Sequence, residues 1–164
     1  MERIRNLAAR AVLVVLAGAL LAACDVQRTQ HMEAGVSTET DVRAQFGEPA
    51  AVYDEEDGGR TLEFPHQPEG QVNYMITIGA QGKLVAIRQV LNPDRFASIT
   101  PGLDKSQVRR LIGRPARAEV FELKNEEVWD WRWLDGTQSK VFSITFDADG
   151  KVQSTAVSDE TAAR

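Results

Sequence analysis

The chain has 164 residues, 26% of them charged, and a formal net charge of −5. An acidic balance of this size argues against nucleic acid as a partner, because phosphate neutralisation by Lys and Arg supplies much of that affinity. One cysteine, Cys24, leaves no pair for an internal disulfide, so stability has to come from packing.

The N-terminus reads as a secretory signal. Arg3, Arg5 and Arg10 form a basic stretch, and the 13 residues from Ala11 to Ala23 are apolar and small. A membrane span needs about 20 apolar residues, and this run is shorter. Leu21-Ala22-Ala23-Cys24 resembles a bacterial lipobox. The resemblance implies removal of residues 1–23 and acylation of Cys24, with palmitate among the chains. Removing Arg3, Arg5, Arg10 and Glu2 from 19 basic and 24 acidic residues leaves 16 and 23, a net charge of −7. Acylation on both thiol and amine exceeds the two signals that stable anchoring requires. The working part then faces the periplasm, where there is no ATP, and the sequence has no Gly-rich phosphate loop. Asp25 resembles the signal that retains a lipoprotein on the inner membrane in enteric bacteria. Residues 24–34 read as a lipidated polar tether.

Beyond residue 35 the chain repeats itself. Thr38 to Pro49 and Asp104 to Pro115 align, with Val42/Val108, Gly47/Gly113 and Pro49/Pro115 each 66 residues apart. Each copy spells a short helix. Thr38 and Asp104 are N-caps, with Asp41 and Gln107 three places on. Val42 with Phe46, and Val108 with Ile112, form one apolar face. A glycine and then a proline end each copy.

Strands follow. Tyr74, Ile76 and Ile78 alternate with Asn73, Met75 and Thr77, and Phe142, Ile144 and Phe146 alternate with Ser143, Thr145 and Asp147. Gln81-Gly82 and Asp149-Gly150 supply hairpin turns. Earlier strands are expected near Ala51–Asp54, Leu62–Pro65, Ala118–Leu123 and Val128–Leu134. The fold class is therefore α+β: two tandem repeats, at 35–92 and 98–157, each a short helix with three or four antiparallel strands. Residues 158–164 read as a flexible tail.

Residues 102–115, with Trp129-Asp130-Trp131, Ile144-Thr145-Phe146-Asp147 and Gly150-Lys151-Val152, resemble the BamE/SmpA/OmlA lipoprotein family. The resemblance covers most of the second repeat and, more faintly, the first. It implies an α+β fold, a lipid anchor, the outer membrane, and a supporting role in outer-membrane protein assembly, with barrel-assembly machinery as partner. A typical member has one such domain. The duplicated unit also resembles the β-lactamase-inhibitor-like architecture, whose members bind proteins through a concave sheet.

Candidate site residues are few. Trp129, Trp131 and Trp133 share one face of a strand. Leu62 and Phe64 match the first two in the other repeat, which assigns Trp129 and Trp131 to the core. His66 matches Trp133, which makes Trp133 the candidate surface contact for a partner. Arg109, Arg110, Arg114 and Arg117 cluster at the second helix end and are candidates for anionic headgroups. Asp147-Ala148-Asp149-Gly150 lacks the glycine and glutamate spacing of a calcium loop. Asp54-Glu55-Glu56-Asp57 reads as a solvated loop, and no metal or other cofactor is expected. The two histidines, one of them His31 in the tether, fit no catalytic motif.

These observations imply a non-catalytic, membrane-anchored periplasmic lipoprotein that binds an envelope protein. The alternatives are a periplasmic enzyme inhibitor and a structural protein bound to anionic lipid.

Overall fold

The computed structural model describes residues 32–160. The expected signal sequence, Cys24, Asp25 and His31 lie outside them, with most of the expected tether. No helix among the described residues is long and apolar enough to cross a membrane.

Both repeat helices form where the caps place them. Helix α1 is Glu39–Phe46 and begins at Thr38, whose side chain accepts from the Asp41 N–H while the Asp41 carboxylate accepts from the Thr38 N–H at 2.8 Å. The Asp41 carboxyl is held below its usual range, chiefly by that backbone bond. Two further helices follow: α2 is Pro93–Ala97 and α3 is Lys105–Ile112. Helix α3 repeats the capping box with Asp104 and Gln107. Here the Ser106 hydroxyl, then the Gln107 N–H, lower the Asp104 carboxyl. Short helices of this kind depend on docking an apolar face. Val42 in α1, and Val108 and Ile112 in α3, are fully buried.

The helices rest on two four-stranded antiparallel meanders. The first is β1 (Ala51–Asp54), β2 (Arg60–Pro65), β3 (Asn73–Ile78) and β4 (Leu84–Gln89). The second is β5 (Arg117–Phe121), β6 (Glu126–Asp135), β7 (Gln138–Phe146) and β8 (Val152–Asp159). The likeness extends to irregularities. The register shifts after Thr77 in β3 and after Thr145 in β7. Each N-cap residue also bridges to the residue after the turn glycine, Thr38 to Lys83 and Asp104 to Lys151. At the second turn, Asp147 Oδ1 accepts from the N–H groups of Asp149 and Lys151, so the carboxylate shapes the hairpin.

The cores divide unequally. Val42 packs with Leu62, Phe64 and Ile76 on one face of the first sheet. The second core joins Val108, Ile112, Trp131 and Phe146 with Met75, Val90 and Leu91 from the first unit. The first sheet is therefore covered on both faces: by α1 on one, and by the second unit on the other, where Glu63, Asn73 and Met75 are buried. Sequence reading places no helix at α2. Asn92 caps it and Pro93 occupies its first turn. Phe96 from α2 stacks on Phe142 at 4.1 Å.

The tail differs from expectation. Ser158 and Asp159 continue β8, and the Glu160 carboxylate accepts from Arg132 Nε at 2.5 Å.

The two glycine caps make a matched test. Gly47 and Gly113 have φ of 85° and 78° with ψ near extended, a region essentially restricted to glycine. A Cβ at Gly47 meets nothing within 4 Å, whereas one at Gly113 lies 2.8 Å from Asn73 Nδ2. Gly47→Ala is expected to destabilise by about 1–3 kcal/mol from backbone strain alone. Gly113→Ala should exceed it by about 1 kcal/mol through overpacking. Urea unfolding of the two variants measures the difference.

Candidate protein-binding surface

The residues singled out in the sequence lie mostly inside the molecule. Trp131 is fully buried and Trp129 half-buried against the same core. Trp133 is only 4% exposed, which corrects its expected surface position. Helix α2 covers it, with the Phe96 ring edge-on at 5.0 Å.

The arginine cluster also has a different setting from the solvated helix end that was expected. Arg109 reaches across to the first sheet, where Nε lies 3.1 Å and Nη2 3.4 Å from the fully buried Glu63 carboxylate. The Arg114 N–H donates to the same carboxylate at 2.9 Å, and the Tyr53 hydroxyl at 2.6 Å. Burial, then the bond to Glu63, raises the Tyr53 phenol well above its usual range. Arg110 Nη2 donates to Glu55 at 2.7 Å and its guanidinium sits over the Tyr53 ring. Arg114 Nη2 donates to the Gln67 carbonyl at 3.2 Å. Asn73 Nδ2 bonds the carbonyls of Ile112 at 2.8 Å and Arg114 at 3.1 Å, which satisfies the end of α3. Three of the four arginines thus join the two units. The fourth, Arg117, is 60% exposed and pairs with Glu119 at 2.9 Å and Asp130 at 3.3 Å. No free cationic face results.

A second polar clasp lies farther along. Gln67 Nε2 donates to the Arg132 carbonyl at 2.7 Å, and its Oε1 accepts from the Arg132 N–H at 3.2 Å. The side-chain amide takes the place of a strand rung on β6, two residues beyond the last pair with β5.

Among the described residues, the hairpin from β5 to β6 gathers three of the exposed large apolar side chains. Val120 is 64% exposed, Phe121 38% and Leu123 fully so. Sequence reading missed it, although the repeat held the signal. Strand register puts Val120 where the first unit has Asp54, and the shorter loop that follows in the first unit carries Glu55, Glu56 and Asp57. The fold therefore accepts carboxylates in this hairpin, and the packing does not require apolar residues there. Exposed apolar groups that folding does not demand point to contact with another surface.

Two helix-on-sheet units, joined across a polar seam, define a tandem α+β protein. Residues 89–156 match the outer membrane protein assembly factor BamE domain, and the second unit is a BamE-like domain. The match takes in α2. Three solved structures show distant likeness. An osmotically inducible lipoprotein, OsmE, is 17% identical, with 45% of this chain and 79% of that chain covered and a TM-score of 0.39. A DUF4309 family protein from Bacillus subtilis is 18% identical over 81% and 85% of the two chains, with a TM-score of 0.33. A Streptococcus mutans protein designated a β-lactamase inhibitor is 10% identical over 83% and 96%, with a TM-score of 0.34. No curated protein matches the sequence.

Proposed function

We propose that this is a non-catalytic lipoprotein, anchored through Cys24 to the outer membrane and facing the periplasm, which binds a protein of outer-membrane protein assembly. On this reading residues 1–23 are removed, 24–34 form the tether, and the repeats at 35–92 and 98–157 form the working body. The observation that carries the binding role is the apolar hairpin at Val120, Phe121 and Leu123, which lies within the BamE-like unit. The first unit's hairpin carries Asp54, Glu55, Glu56 and Asp57 instead, which leaves the second unit as the contact.

The test is a photo-crosslinker at Leu123 in the lipidated protein, followed by mass spectrometry of the adducts. Barrel-assembly subunits or nascent outer-membrane proteins are the expected products. Adducts with lipid alone would replace a protein contact by a membrane contact. A companion variant gives this hairpin the carboxylate character of the first unit's, as Val120→Asp with Leu123→Asp. Its unfolding free energy should stay within about 0.5 kcal/mol of wild type, as for exposed positions generally. Partner capture should fall at least about tenfold, the loss of one apolar anchor.

A further inference from the structure

Where the back of the first sheet meets α2 and α3 there is a cleft of about 390 Å³, a volume typical of small-ligand sites. Its apolar lining comes from Met75 and Val90 on the sheet side and Leu103 and Leu111 on the helical side. Three arginines, Arg88, Arg95 and Arg110, line it as well, with a single acidic residue, Glu55. Arg110 is neutralised by Glu55 at 2.7 Å. Arg88 has only a hydroxyl, Thr77 Oγ1, at 3.1 Å. Among the described residues neither Arg88 nor Arg95 has a carboxylate partner. Two uncompensated cations thus border an apolar cleft in a protein whose net charge is −5.

The repeat shows that folding does not ask for them. By strand register Arg88 corresponds to Ala156, Met75 to Ser143 and Val90 to Ser158, so the second unit forms the same sheet without the cation or the apolar lining. Guanidinium groups favour carboxylate and phosphate alike. Glu55 in the wall and the apolar lining both oppose a second negative charge on the ligand.

We infer that this cleft binds a carboxylate carried on an apolar chain, with Arg88 and Arg95 taking the head group. At about 30 Å³ per water-sized group it holds roughly a dozen such groups, enough for an eight-carbon chain with its head. The chemistry is shared by a free alkyl carboxylate and by the C-terminal end of an apolar peptide.

The test uses the lipidated protein in phosphatidylcholine nanodiscs, with thermal unfolding as the readout, since a ligand of the folded state raises Tm. Sodium octanoate should raise Tm saturably, and 1-octanol should not. Arg88→Gln with Arg95→Gln should weaken the octanoate response about tenfold through lost charge-assisted hydrogen bonds, while the unliganded Tm stays near wild type because neither side chain is buried. Ala-Leu-Phe with a free carboxylate, compared with its amide, assigns the source. A larger response to the peptide acid points to a chain terminus and a larger response to octanoate points to an alkyl carboxylate, and both support the site. Octanol acting like octanoate would overturn it, as would an unchanged response in the double variant. Inorganic phosphate matching octanoate would overturn it too, because the apolar lining would then contribute nothing. The hairpin contact at Leu123 is read by crosslinking, so either idea can fail alone.

Discussion

Glu63→Ala is expected to destabilise the protein by about 3 kcal/mol, the lower end for removing one partner of a buried ion pair. The lower end applies because the Arg109 side chain keeps 36% exposure and can recover some hydration. Three groups lose their acceptor together: the Arg109 guanidinium, the Arg114 N–H and the Tyr53 hydroxyl. Two of these belong to the second unit and one to the first, so the loss falls on the seam. Glu63→Gln keeps an acceptor oxygen and the shape, and its penalty should be about 1–2 kcal/mol. Replacing both charges, as Glu63→Leu with Arg109→Leu, should be milder than Glu63→Ala, because no uncompensated group remains. The measurement is urea unfolding followed separately by the second unit's tryptophan fluorescence and by far-UV circular dichroism. Wild type should give one coincident transition, and Glu63→Ala should lower the midpoint or separate the probes. A change under about 0.5 kcal/mol, the level of ordinary surface substitutions, would show that apolar packing alone joins the units.

The contrast between Glu63 and the arginines shows how far sequence reading reached. Helices, turns and strand alternation are local, so two copies of each motif were enough to place α1, α3 and the meanders. The repeat even holds to the register shifts after Thr77 and Thr145. What sequence alone misassigned depends on which surface the second unit covers. Glu63 sits on the alternate face of β2, and alternation by itself assigns that face to solvent. Met75 on the matching face of β3 was the available sign that it is buried. Once α3 lies there, Arg109 and Arg114 become partners of a residue some fifty positions upstream. Trp133 was misplaced for a related reason. Helix α2 covers Trp133, and the polarity tolerated at its match, His66, carried no sign of that cover. Asn92-Pro93 marked that helix, yet five residues carry too little periodicity to declare it. The apolar hairpin at Val120–Leu123 was legible by comparison with Asp54–Asp57.

The two buried tryptophans of β6 should respond differently to the same substitution. Trp131→Ala is expected to cost about 3–5 kcal/mol, as for a large aromatic removed from a packed core. Trp131 is fully buried, lies against Trp129 and Phe142, and its Nε1 donates to the Gly113 carbonyl at 3.0 Å. That bond ties β6 to the C-cap of α3, the same residues that Asn73 and Glu63 hold from the other side. Trp131→Phe therefore loses a buried donor as well as volume, and should cost about 1–3 kcal/mol from the hydrogen bond alone. Trp133 is nearly as buried, but its Nε1 has no hydrogen-bond partner among the described residues. Trp133→Phe removes an unsatisfied polar atom, which offsets the lost ring area. It should stay within about 1 kcal/mol of wild type, because the two effects oppose each other. Urea unfolding of the two phenylalanine variants makes the comparison, with partner capture measured well below the midpoint of each. Because Trp133 lies beneath α2, capture should be unchanged wherever the protein remains folded. Equal penalties at the two positions would mean that ring volume alone counts and that the bond to Gly113 contributes nothing measurable. Lost capture in a folded Trp133→Phe would return that residue to the binding surface.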